Sequence, residues 1–225
     1  MRMRLIKLRS VTYGVVRRLG KTLALLMCLG TPLQAQDVTV LAFGDSLTQG
    51  YGLPQADGLV PQLQRWLAAQ GTQARLVNAG VSGDTSAGGA ARIDWSLSEP
   101  VDAMILTLGG NDLLRGVDPS VTRTNLDQII NVAKDRQVKV LLVGMLASKN
   151  YGSEYKAAFD AMYPDLAETH QVQFFPYFFQ GLGAGTPAEM QVYFQRDGIH
   201  PNAAGVARIV EALGPAVQQL IADTP

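Results

Sequence analysis

Cysteine is almost absent from this 225-residue chain, with Cys28 the only one. A single thiol closes no internal disulfide. Histidine is nearly as scarce: His170 and His200 are the full complement, so no ordinary zinc ligand set can form and no metal is expected. No Gly-x-Gly-x-x-Gly follows any apolar run, which removes the dinucleotide fingerprint and leaves no cofactor implied. No uncharged apolar stretch reaches the roughly 20 residues that a membrane-spanning helix needs.

Acid is the next absence. Residues 1–35 hold Arg2, Arg4, Lys7, Arg9, Arg17, Arg18 and Lys21 and no Asp or Glu. An apolar stretch from Thr22 to Gly30 follows, and then Thr31-Pro32-Leu33-Gln34-Ala35. A basic segment, a short apolar segment and a terminal small residue describe a secretory signal peptide, with cleavage expected after Ala35. The protein is then periplasmic or secreted, without a stable membrane anchor. Lipidation at Cys28 is the alternative, and the bulky Met27 before it argues against that.

Residues 36–225 form the expected single domain. They carry 19 − 7 = 12 basic residues against 19 acidic ones, a net charge of −7. An acidic domain lacks the basic patch that nucleic-acid binding requires.

Five apolar runs alternate with helical patterns along this domain. The first is Val38 to Gly44, followed by Asp45, Ser46 and a second turn before any helix. The others are Ala74–Ala79, Ala103–Leu108, Lys139–Gly144 and Val172–Phe175. Helices are expected from about Leu59 to Gly71, Ala87 to Leu97, Val121 to Arg136, Glu154 to Thr169 and Ala203 to Ile221, with Pro201 in the first turn of the last. The alternation predicts one doubly wound α/β domain with a parallel sheet of five buried strands.

In a parallel sheet the carboxyl ends of all strands face one edge. Three of those ends carry polar, glycine-rich turns: Gly44-Asp45-Ser46, Ser82-Gly83-Asp84 and Gly109-Gly110-Asn111-Asp112. Asp197-Gly198-Ile199-His200 can reach the same edge. Acyl transfer needs a nucleophile, a base, a group that orients the base, and donors for an oxyanion. Ser46, His200 and Asp197 supply the first three in type and spacing. The backbone N–H groups of Ser46 and Gly83, with the Asn111 amide, could supply the donors. Each piece has a plainer reading: Asp45 and Ser46 as a helix cap, Asp197 and His200 as a helix start, Gly-Gly-Asn-Asp as a turn. His170, at the end of a helical pattern, is expected to face solvent.

Gly44-Asp45-Ser46-Leu47, Gly83, Gly109-Gly110-Asn111-Asp112 and Asp197-Gly198-Ile199-His200-Pro201 together resemble the SGNH (GDSL-type) hydrolases. Asn78 to Ser86, Leu113-Leu114-Arg115-Gly116 and Asn150-Tyr151-Gly152 are similar to its bacterial periplasmic branch of acyl-CoA thioesterases, arylesterases and lysophospholipases. The resemblance implies a flavodoxin-like three-layer domain with strand order 2-1-3-4-5. It also implies Ser46 as nucleophile, His200 as base, Asp197 as its orienting acid, and Ser46, Gly83 and Asn111 as the oxyanion hole, with Gly80 a second choice for Gly83. A small acyl ester or thioester is the implied substrate of a monomeric enzyme, with Leu113, Leu114 and Tyr151 beside the acyl chain. Ala147-Ser148-Lys149 departs from the more apolar segment of that branch, which bears on acyl length. Two other readings stand beside this one: a carbohydrate O-acetyl esterase of the same family, and a secreted flavodoxin-like binding module without catalysis.

Overall fold

The computed structural model describes residues 38–184 and 187–224. The signal-peptide reading concerns residues 1–35, which lie outside them. Five parallel strands, β1 (Val38–Gly44), β2 (Ala74–Gly80), β3 (Ala103–Thr107), β4 (Lys139–Val143) and β5 (Gln173–Phe175), form one sheet in the order β2-β1-β3-β4-β5. β1 sits between β2 and β3, with Gly44 opposite Gly80 on one side and Thr107 on the other. β1, β3 and β4 are apolar because helices cover both faces, and Phe43, Leu106 and Leu142 are fully buried. The expectation of five buried strands fails for β2. It is an edge strand in which only Ala74 is buried, and Arg75 and Asn78 are exposed.

Eight helices are described: α1 (Ser46–Gln49), α2 (Leu59–Ala69), α3 (Ser86–Ser96), α4 (Gly110–Leu114), α5 (Pro119–Asp135), α6 (Ser153–His170), α7 (Pro187–Met190) and α8 (Ala203–Ala222). α2 packs on α8, while α5 packs on both α3 and α6, so the sheet is the middle of three layers. The helix α8 shows why. Val206, Ile209, Val210, Leu213, Val217 and Leu220 recur at helical spacing and are all buried. Each such side chain contributes about 1.5–3 kcal/mol by leaving water.

Three local expectations are corrected. A helix begins on Ser46 itself, with Asp45 as its N-cap, instead of after a second turn. Pro201 lies outside α8, paired with Phe194 in an isolated bridge. Asn202 caps the helix, its Oδ1 accepting from the Gly205 N–H at 3.0 Å. His170 is 7% exposed and not solvent-facing. It falls on the inward stripe of α6 with Phe159, Met162, Tyr163 and Leu166. Its Nε2 lies 2.8 Å from Asp127 Oδ1 and its carbonyl accepts from Lys134 Nζ at 2.7 Å.

Candidate active site

The site is built on the end of β1. Gly44 has no side chain, and a Cβ there would run into the Thr48 hydroxyl and come within 2.7 Å of the Thr107 carbonyl. That closeness lets the chain turn at once into α1. Asp45 Oδ1 accepts the Leu47 N–H at 3.0 Å, and Gly50 ends the helix in the left-handed region with φ 88°. Ser46 therefore occupies the first helical position, above the sheet edge. The cap is Asp45 and the hydroxyl belongs to its neighbour Ser46, so capping of this helix does not exclude a nucleophile on the same turn.

The segment after β5 brings His200 to the same place. The Asp197 carboxylate folds back on its own loop, Oδ1 accepting from the N–H groups of Ile199 and His200 at 2.9 and 3.0 Å. Its Oδ2 lies 2.7 Å from His200 Nδ1, and His200 Nε2 lies 2.9 Å from Ser46 Oγ. An ionised carboxylate only accepts, so Nδ1 carries the proton and Nε2 accepts from the serine hydroxyl. The backbone N–H groups of His200 and Ile199 hold the Asp197 pKa down at about 2. Tyr51 lies beside the imidazole, ring centroids 4.6 Å apart. Gln195 ties that tyrosine to the histidine loop: its Nε2 donates to the carbonyls of Tyr51 at 2.8 Å and Pro201 at 3.0 Å.

The remaining turns meet across the serine. Asn111 Nδ2 donates to the Asp84 carbonyl at 2.9 Å and, more weakly, to Asp45 Oδ2 at 3.3 Å. Gly83 sits in the left-handed region with φ 84°, and its carbonyl accepts from Arg115 at 2.9 Å. Gly80 is placed differently. Its N–H donates to Asn78 Oδ1, and its Cα packs against Gln49 and the Asp45 carbonyl beneath α1. Asp45 is 2% exposed. Burial pushes its pKa up to about 6, against the opposing pull of the Leu47 N–H, His200 and Asn111.

These groups open into a cavity of about 310 Å³. Asp45, Ser46, Ser82, Gly83, Asn111 and His200 form its polar end; Leu47, Leu113, Leu114, Met145, Leu146, Phe179 and Ile199 supply apolar walls, with Tyr51 and Tyr177 between. Leu113 and Leu114 both line this cavity. Tyr151 does not line the cavity: it braces the wall from behind, its hydroxyl donating to the Leu114 carbonyl at 3.1 Å. Met145, Leu146 and Tyr177 also line the cavity and belong to none of the sequence motifs. The one available signal was position, since Met145 and Leu146 directly follow the Gly144 that ends the fourth apolar run. Among the described residues no group of three or more His, Cys, Asp or Glu could hold a metal, and no helix is long and apolar enough to cross a membrane.

A hydroxyl, an imidazole and a carboxylate thus stand in line beside an apolar cleft. The model of the GDSL-like Lipase/Acylhydrolase family matches residues 42–208. The chain belongs to this family. It is an SGNH-type hydrolase of ester bonds. Esterase TesA of Pseudomonas aeruginosa is 38% identical over 205 residues, 89% of this chain and 100% of that one. Thioesterase 1/protease 1/lysophospholipase L1 of Escherichia coli is 35% identical over 186 residues, 81% of this chain and 85% of that one. The crystal structure of AlinE4, an SGNH-hydrolase family esterase, superposes with a TM-score of 0.67 at 40% identity, covering 82% of this chain and 97% of that one.

Proposed function

We propose that this SGNH hydrolase cleaves acyl esters and thioesters, lysophospholipids among them, through an acyl-enzyme on Ser46. The observation that carries the reading is the line of contacts from Asp197 through His200 to Ser46, 2.7 and 2.9 Å long, at the polar end of the cavity. His200 Nε2 takes the hydroxyl proton as Ser46 Oγ attacks the carbonyl carbon. The carbonyl oxygen becomes an oxyanion, held by the N–H groups of Ser46 and Gly83 and by Asn111 Nδ2. Gly83 is preferred to Gly80 because it borders the cavity, whereas the Gly80 N–H is already given to Asn78. The Asn111 N–H that turns to the oxyanion is the one on Asp45, because its bond is the longer of the two. When the tetrahedral adduct collapses, His200 returns the proton to the leaving alcohol or thiol. Water then attacks the acyl-enzyme with His200 again as base, and Ser46 leaves with the proton restored.

The apolar walls favour an acyl chain over a carbohydrate acetate, since a polysaccharide would leave Leu113, Leu114 and Leu146 without matching surface. The names esterase and thioesterase/lysophospholipase borne by relatives support the same class. The enzyme acts as a monomer in the periplasm, reached by way of the leader in residues 1–35. A panel of p-nitrophenyl esters from acetate to palmitate, run beside Ser46→Ala, tests the reading. Turnover is expected to rise beyond acetate, and fluorophosphonate should label the wild type but not the variant. Activity confined to acetate would overturn the lipid reading, and labelling that survives Ser46→Ala would overturn the nucleophile.

A further inference from the structure

Three donors for one oxyanion are carried by three separate turns, and a shift of one turn against another would spread them. The Gly44 carbonyl, at the end of β1, accepts the Val81 N–H at 3.0 Å and Arg92 Nη2 at 2.9 Å. The same guanidinium places Nε 2.6 Å from Asp84 Oδ2, and its Cζ lies 3.9 Å from the centroid of the Phe43 ring. Gly88, without a Cβ, lets the Asp84 carboxylate lie on the first turn of α3. The Asp84 backbone carbonyl in turn receives Asn111 Nδ2 at 2.9 Å. One guanidinium thus reaches the end of the strand that leads into Ser46 and the turn that holds Gly83, and through Asp84 it reaches the amide of Asn111.

We propose that Arg92 is the positioning residue of the oxyanion hole, acting through Asp84 and the Gly44 carbonyl without touching substrate. The inference rests on the reading of Ser46, Gly83 and Asn111 as oxyanion donors. Neither Arg92 nor Asp84 lines the cavity. Their side chains are only 19% and 16% exposed, unlike the exposed pairs that add little. The planar fork serves a carboxylate and a carbonyl at once, which a lysine ammonium on a flexible stem does not reproduce.

Arg92→Lys and Arg92→Ala test this, with kcat and KM on a soluble p-nitrophenyl ester and the affinity of a trifluoromethyl ketone. That ketone adds to Ser46 Oγ, its proton passing to His200 and its oxygen taking the charge in the hole, so it reports the donors directly. Both variants should lose roughly 10- to 100-fold in kcat, less than deleting a donor outright, with KM within about twofold. Ketone affinity should fall by a similar factor. Guanidinium ion at low concentration should restore part of the kcat of Arg92→Ala and none of that of Ser46→Ala. If Arg92→Ala does not fold, Arg92→Lys carries the test. A kcat within twofold of wild type overturns the proposal, and so does a lost kcat with ketone affinity unchanged, the mark of a merely structural residue. Failure of the oxyanion reading itself shows separately, as an Asn111→Ala protein with full kcat and ketone affinity.

Discussion

Asp45 is a carboxyl whose surroundings oppose its charge. Its ordinary pKa of 3.8 rises to about 6 because burial outweighs its hydrogen bonds. A carboxyl with a raised folded-state pKa holds its proton more tightly in the fold than in the open chain. The stability this gives is complete below the unfolded value and is lost as pH climbs through about 6. At one pKa unit per 1.36 kcal/mol, the charge costs on the order of 3 kcal/mol near neutrality. Asp45→Asn keeps an acceptor for the Leu47 N–H and removes the charge. Thermal melts should therefore show a gain at pH 8 and little or none at pH 4, and an equal gain at both would refute this account. Asn111 makes the complementary case. Replacing it with alanine removes a donor that matters only as the oxyanion forms, so kcat should fall about 10²–10³-fold with KM little changed. Equal kcat in steady-state assays of the two proteins would remove Asn111 from the hole. Residue types and spacing made Ser46, Asn111, Asp197 and His200 legible as candidates. Arg92 was not, because nothing within α3 shows that its guanidinium crosses to the carbonyl of Gly44, 48 positions earlier.

Among the elements, α1 depends on how closely the ends of β1 and β2 approach it. A Cβ on Gly80 would run into the Gln49 backbone N and sit 2.8 Å from the Asp45 carbonyl, and neither main-chain group can step aside cheaply. Gly80→Ala should push α1 off the sheet, lowering kcat and melting temperature together. Gly71, with φ 75° and nothing within 4 Å of an added Cβ, is the control. Gly71→Ala should cost about 1 kcal/mol in stability through backbone strain alone and leave kcat intact. Matching kcat values for the two variants would show that the approach at Gly80 does not place Ser46. At this scale the strands were legible from their apolar runs, since buried parallel strands need no alternation. The start of α1 was not, because a four-residue helix is too short to show a period. His170 was misread for a related reason. The last residue of a helix can fall on its inward stripe, and only the packing of α6 on α5 shows that it does.

For the whole molecule, the question is which part of the chain the fold uses. β1 is an inner strand, flanked by β2 and β3, and it begins at Val38. Cleavage after Ala35 would leave only Gln36 and Asp37 ahead of it, so the sheet and all the residues of the site would remain in the product. Removal would also take away seven basic residues and Cys28, leaving a domain of net charge −7 with no thiol. Such a domain can fold in an oxidising compartment without risk of disulfide exchange. Expression of the full chain in a bacterial host should therefore yield periplasmic enzyme whose intact mass begins at Gln36. A protein started at Gln36 by design should match it in melting temperature and in ester turnover. Product that retains residues 1–35 would remove the leader reading. A product that begins at Cys28 with added lipid mass would replace it with anchoring at that residue.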